Sequence, residues 1–208
     1  MMKAVIGKRT VWFMNHTFKQ YKLVWIVAPI LGVIVFVCLF LYASGTVSLS
    51  MHGIAVDHSG RLYVGEDHRI VVVDGGQIVG TITAKTAGAY MFTVQADDTI
   101  LLSTSSKAYV MDLSGGILSE KDDADTRIYN QLKRHNYAVV SDSGEKYEMT
   151  CRFGRTRVVK GDAVLYEMPL LDYTVRIMIV VFAISLVCLV IYVLKIRYRT
   201  SSAASKSC

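Results

Sequence analysis

The chain has 208 residues, of which 52% are hydrophobic, and a formal net charge of +6 at pH 7. All 17 acidic residues lie between Gly45 and Tyr173, so the excess positive charge belongs to the two ends of the chain. This distribution excludes a broad basic surface for nucleic acid, and we expect no nucleic-acid partner.

The chain begins with a basic segment, residues 1–22, which is followed by an uncharged apolar run at 23–43. As a helix, the 21 residues of this run span roughly 31 Å, enough to cross a hydrocarbon core of about 30 Å. A cleaved signal peptide is the alternative, but its apolar core is usually only about 7 to 15 residues long. Ala28 and Gly32 form a small-xxx-small pair in this run, which predicts a face for close packing with another helix.

A second uncharged apolar run, at 177–194, predicts another membrane-spanning helix at 174–194, and a basic tail follows at 195–208. Basic residues flank both runs on the sides that lead to the chain termini. Both termini are therefore expected in the cytoplasm and the central domain, 44–173, outside a plasma membrane that the chain crosses twice. Cys151 is the only cysteine of that domain, which also lacks a glycosylation motif, and this favours a bacterial source.

The central segment has the pattern of a β domain. Short apolar and β-branched runs alternate with clusters of Gly, Asp, Asn and Ser. Three stretches, at 53–83, 91–120 and 137–169, are similar to one another, and each predicts four strands joined by tight turns. In this alignment Ile78 corresponds to Ile117 and to Val164.

Two motifs of the first stretch, VDHSGRLYV at 56–64 and IVVVDGG at 70–76, resemble the blades of NHL and sugar-lactonase-like β-propellers. The resemblance implies about three four-stranded blades that form an incomplete propeller, because closed propellers have four to eight blades. Together with the two apolar runs, this predicts a membrane-anchored all-β fold. An incomplete propeller leaves two sheet edges open, and three arrangements would cover them. Several chains join their blades, the helical stretch and membrane-proximal strands cap the edges, or the strands form a curved sandwich; we favour the first.

Acidic residues recur in the predicted turns. The first and third turns of each stretch lie at one end of a blade, and they contain Asp57, Asp74, Asp97, Asp98, Asp112 and Asp142. These residues are predicted to form an acidic rim for cations or a basic partner; the alternative is that aspartate is favoured in turns by local hydrogen bonding.

Two further polar groups have simpler interpretations. The sequence 66–68, Glu-Asp-His, lies about one strand, or about 15 Å, from Asp57-His58, so we interpret both as polar turn residues and predict no metal site. A basic run of the third stretch either contacts lipid phosphates, contacts a neighbour's acidic rim, or forms a solvated strand face; its members are Arg152, Arg155, Arg157 and Lys160.

No nucleophile, metal-ligand or phosphate-loop motif occurs in the sequence, so we predict no enzyme and no cofactor. The predicted function is a non-catalytic, membrane-tethered binding or assembly module outside the cell. Its expected partners are the lipid bilayer and either another protein or further copies of this chain. An accessory subunit of a transporter or secretion complex is the alternative. A lactonase-like hydrolase is disfavoured, because three blades do not enclose a channel that gathers metal ligands.

Overall fold

The computed structural model of the chain describes residues 26–84, 86, 88–122 and 126–205, with side chains described up to residue 195. The predicted segment 1–22, the first three residues of the predicted span 23–43 and the last three of the tail 195–208 lie outside the described residues. The chain divides into two compact units. One is a β unit, Tyr42–Val175, which exceeds the predicted domain 44–173 by two residues at each end.

Three helices are described: α1 at Ile26–Ala43, α2 at Arg127–Lys133 and α3 at Leu170–Ser205. The segments Ile26–Ala43 and Leu170–Lys195 are long and apolar enough to cross a bilayer. The first ends at Ala43, and Gly45, two residues beyond it, has a φ of 70° that suits the left-handed turn that closes many helices. The second begins directly after Pro169, earlier than the predicted 174, and meets no later proline or glycine that would stop it.

The described part of the chain contains twelve strands, which form three antiparallel sheets of four, and in each sheet consecutive strands are neighbours. The first sheet contains β1 (Met51–Val56), β2 (Leu62–Glu66), β3 (Arg69–Asp74) and β4 (Gln77–Thr83). The second contains β5 (Met91–Val94), β6 (Ile100–Ser103), β7 (Lys107–Met111) and β8 (Ile117–Asp122). The third contains β9 (Ala138–Val140), β10 (Lys146–Arg152), β11 (Arg155–Lys160) and β12 (Ala163–Glu167). The prediction of four-stranded sheets is thus confirmed.

The first sheet is the middle layer, and its strands β2 and β3 are buried on both faces. Tyr63 and Val72 point to one face, where they join a core cluster with Phe92 of the second sheet. Leu62 and Val73 point to the other face, where their cluster includes Val158 of the third sheet. Because successive strand residues point to opposite faces, the unbroken apolar runs of β2 and β3 supply both clusters.

The order of the sheets in space differs from their order in the chain. The third sheet packs on the first rather than on the second, and the two core clusters contain no residue in common. The layers therefore run third, first, second, and the stack is not closed into a ring. The structure thus shows three packed four-stranded sheets, and their identity as blades of an incomplete propeller stays a prediction.

Equivalent irregularities occur in all three sheets. The fourth strand of each sheet, called the outermost strand below, has a one-residue bulge. The bulges lie at Val79 in β4, Leu118 in β8 and Leu165 in β12. These residues directly follow Ile78, Ile117 and Val164, which the sequence alignment equates. Each turn between the first two strands also shares one hydrogen-bond pattern, with a positive φ at Gly60, Asp98 or Gly144.

Asn136 fixes the return of the chain from the second sheet to the third. Its side-chain Nδ2 donates to the carbonyl oxygen of His52 at 2.7 Å, and its own carbonyl accepts from Ile54 N at 2.8 Å. A Cβ added to Gly53 would lie 1.9 Å from Nδ2, so only glycine leaves room for this crossing.

Gly53→Ala is expected to lower the free energy of unfolding by about 1–3 kcal/mol, because the added methyl group displaces the buried Asn136 side chain. Hydrogen exchange of the β1 amides, in the full chain in detergent, measures the effect. Gly80→Ala in β4 is the matched control, since its Cβ would meet nothing within 4 Å. Equal exchange in the two variants would contradict this account of Asn136.

Candidate functional site

The first residue of the predicted acidic rim, Asp57, is used inside its own turn. Its Oδ1 accepts from Ser59 N at 3.0 Å and from Arg61 N at 2.8 Å. Its Oδ2 accepts from Arg61 Nε at 2.7 Å and from the hydroxyl of Tyr63 at 3.3 Å. Burial acts to raise the pKa of Asp57, but the hydrogen bonds from Ser59 and Arg61 outweigh it and the pKa is lowered. The carboxylate is therefore buried, and both of its oxygens already accept hydrogen bonds from neighbouring residues.

Other members of the rim also have local partners. Asp112 accepts from the backbone and hydroxyl of Ser114, and this hydrogen bonding lowers its pKa. Asp97 is bonded in the same way by Thr99, while Asp98 lies 3.5 Å from His58 Nδ1.

Asp74 and Asp142 are exposed. Among the described residues, no group of three His, Cys, Asp or Glu side chains is arranged to hold a metal ion. The rim as a surface for a cation or a basic partner stays a prediction.

Two shallow clefts lie between neighbouring sheets. A cleft of about 220 Å³ separates β4 from the β7–β8 turn and is lined by Tyr63, Val79 and Leu113 among others. A second cleft, of about 280 Å³, lies beside Asp74 and contains Lys160, whose Nζ is 2.7 Å from Glu145 Oε1. The hydrogen bond with Glu145 raises the pKa of Lys160.

The most extensive polar network of the described residues surrounds Glu66, the last residue of β2. The glutamate is 1% exposed; its Oε1 accepts from the hydroxyl of Tyr166 at 2.6 Å and its Oε2 from Arg69 Nε at 2.7 Å. The same guanidinium has Nη2 3.8 Å from Oδ2 of Asp172, in the first turn of α3. Tyr90 donates to the carbonyl oxygen of Glu66 at 2.6 Å.

Asp67 holds the segment that leads from α1 to β1. Its Oδ2 accepts from the backbone N–H groups of Leu49 and Ser50, at 2.6 and 3.1 Å. Its Oδ1 lies 2.8 Å from His52 Nε2, and its own N–H donates to Ser48 Oγ at 2.7 Å. Burial acts to raise the pKa of Asp67, but the bonds from His52 and Leu49 outweigh it, so the pKa is lowered.

The sequence analysis identified residues 66–68 as turn residues but missed that this turn is buried. One signal was available: strand alternation places the second turn at the same end of the β unit as its first and last residues. Two carboxylates at that end lie where the entering and leaving segments meet. Their burial is compensated by Arg69, His52 and hydrogen bonds, as a buried charge requires.

Two other surfaces lack a partner in the described part of the chain. Ala28 and Gly32 are exposed on α1, and a Cβ at Gly32 would meet nothing within 4 Å. The second surface consists of exposed apolar side chains on the outermost strands β4 and β8. They are Ile78 at 59%, Val79 at 58%, Ile117 at 42% and Leu118 at 60% exposure.

Comparison with known proteins gives little to add. No family model matches the chain. No curated protein matches it. A solved structure of a protein of unknown function from Bacteroides caccae aligns with 58% of this chain and 46% of its own, at 10% identity and a TM-score of 0.29. The chain thus spans less than half of that protein, and so low a score carries no argument about fold or function.

Asp67→Asn is expected to lower the free energy of unfolding at pH 7 by about 1.5–3 kcal/mol, because charged hydrogen bonds to two backbone amides are weakened. The lowered pKa makes this contribution complete above the unfolded value of about 3.9, and it is lost as the pH falls through the folded pKa. The wild-type chain should therefore lose stability in acid more steeply than the variant.

Hydrogen exchange at Leu49 and Ser50, followed from neutral to acid pH in the full chain, measures both effects. Asp142→Asn, at an exposed turn, is the control. Unchanged protection of the two amides in Asp67→Asn would show that the carboxylate does not hold this segment.

Proposed function

We propose that this chain is a non-catalytic, membrane-tethered module whose β unit binds a protein or assembles with further copies outside the membrane. The exposed apolar residues on β4 and β8 carry the proposal. Outermost strands present unpaired backbone groups, and natural proteins usually protect such edges with charges or cover them. Here β4 has no charged residue and exposes Ile78 and Val79. The first two residues of β8, Ile117 and Leu118, are exposed as well, ahead of its charged end at 120–122. These apolar positions favour contact with another chain.

The unclosed stack of sheets supports the same proposal. If the sheets are propeller-like blades, the second and third sheets are the two ends of an incomplete ring. A second copy or a partner then supplies the missing layers. The buried carboxylates favour a structural rather than a catalytic role, because Asp57, Glu66 and Asp67 are bonded to their own neighbours.

The membrane part of the proposal depends on α1 and α3. Both are apolar enough to span, and basic residues flank the corresponding runs on the sides of the chain termini. We propose that both termini are cytoplasmic, that the β unit lies outside, and that the membrane is a bacterial plasma membrane.

Val79→Lys and Leu118→Lys are expected to reduce the assembly of the full chain, because each places a charge at an apolar bulge of an outermost strand. The mass of the chain in detergent, corrected for bound detergent, is measured by light scattering across concentration. The wild-type chain should be a dimer or larger, and the two variants should shift to monomer. Gln77→Lys and Ser119→Lys add the same charge at exposed polar neighbours and should leave the mass unchanged. A wild-type monomer at every concentration excludes self-assembly.

The alternative function is an accessory subunit of a larger membrane complex, of transporter or secretion type. The exposed pair Ala28 and Gly32 favours it, because small residues allow helices to approach closely in a bilayer. Gly32→Leu is expected to release a polytopic partner that copurifies with the wild-type chain from its source membrane. Val33→Leu, at an exposed neighbouring position, is the control. Recovery of the same partner with Gly32→Leu argues against this face as the contact.

A further inference from the structure

The turn between β10 and β11 presents a phenylalanine in an unusual conformation. Arg152 pairs with Arg155, so the loop consists of only Phe153 and Gly154. Their φ values, 52° and 77°, are those of a type I′ turn. The Phe153 side chain is 86% exposed, the highest value among the large hydrophobic side chains that the structure describes.

Neither the conformation nor the exposure of Phe153 favours the isolated fold. Type I′ turns prefer asparagine or aspartate followed by glycine, because a bulky side chain is strained at positive φ. The ring also leaves its apolar surface in water. Strain and exposure at one residue indicate a role outside the β unit.

The position of the turn indicates what the ring contacts. The hydroxyl of Tyr173 donates to the carbonyl oxygen of Phe153 at 2.9 Å. Tyr173 lies in α3, four residues before the uncharged run at 177–194, and four residues of helix rise only about 6 Å. Leu170 and Leu171, on the same helical turn, are exposed as well.

The charge beside the ring is complementary to lipid phosphate. The guanidinium of Arg152 lies 5.5 Å from the centroid of the Phe153 ring, and in the described residues it forms no ion pair. Arg155 differs, because it is bonded to Glu167 and to the carbonyl oxygen of Met168. Only Arg152 of this pair has its charge free for a ligand.

We propose that this turn is a second membrane contact, in which Phe153 inserts into the bilayer interface and Arg152 binds the phosphate of an anionic lipid. Aromatic rings favour the interface, and arginine adds attraction to anionic headgroups. The inference rests on the proposal that α3 crosses a bilayer. It gives the β unit a membrane contact independent of its covalent connections.

The test uses the full chain in lipid nanodiscs. Cys38, Cys188 and Cys208 are replaced by alanine, so that a nitroxide label reports from Cys151, which is exposed and two residues from Phe153. Collisions of the label with oxygen and with a water-soluble nickel complex are measured in zwitterionic lipid, with and without phosphatidylglycerol. In a second chain, with Cys151→Ala, a label at Ser143→Cys in the opposite end of the third sheet is the aqueous reference.

The Cys151 label should be less accessible to nickel and more accessible to oxygen than the Ser143 label, with a larger difference when phosphatidylglycerol is present. Phe153→Asn suits the turn and preserves the fold, so it should bring the Cys151 label to the level of the reference. Arg152→Gln should abolish the dependence on phosphatidylglycerol.

A label at Val190→Cys separates the two proposals. If this label is shielded from nickel while the Cys151 label matches the aqueous reference, α3 is in the bilayer and the proposed turn contact is wrong. If the Val190 label is itself accessible to nickel, α3 does not span, and the membrane proposal fails together with the turn contact.

Discussion

The β unit depends on the burial of its first sheet from both sides. In β2 and β3 every residue from Leu62 to Val64 and from Ile70 to Val73 is buried, so these strands have no face for solvent. Fully burying such a side chain contributes roughly 1.5–3 kcal/mol, and alternate residues gain it from different neighbours. Neither the second nor the third sheet alone is enough, because each leaves half of these side chains in water. The three-layer arrangement is therefore the smallest that satisfies this stretch of chain.

The same central sheet also organises the polar end of the β unit. The turn that joins its two buried strands holds the segment after α1 through Asp67 and contacts the first turn of α3 through Arg69 and Asp172. Because Glu66 and Asp67 lie in water-poor surroundings, their bonds are stronger and more sensitive to geometry than surface ion pairs. The network thus relates the position of the entering segment to that of the leaving one, and both to the core. The β2–β3 hairpin therefore contributes both to the apolar core and to the polar network.

The sequence predicted the strands well because turn chemistry and side-chain alternation are local. The Asp-Gly-Gly at 74–76 and the run Ile70–Val73 needed no tertiary information to indicate a hairpin. The order of the sheets was beyond such reasoning, since alternation shows that Val71 and Val72 face opposite ways but not which sheet covers each. The buried role of Glu66 was missed for the same reason, because its partner Tyr166 lies 100 residues away. Phe153 was not predicted because its positive φ and its high exposure are properties of the folded turn, which no local sequence pattern indicates.

The spatial order of the sheets has a consequence for biogenesis. One face of the first sheet is covered only by the third sheet, which is synthesised last. Ile54, Leu62 and Val73 therefore remain uncovered while the second sheet and α2 are being made. During that interval the nascent chain exposes an apolar surface that can bind chaperones or lead to aggregation. Completion is further slowed by the long sequence separation of the closing contacts. Translation of the third sheet is followed almost at once by α3, so covering the core and placing the last helix fall within the same short period of synthesis.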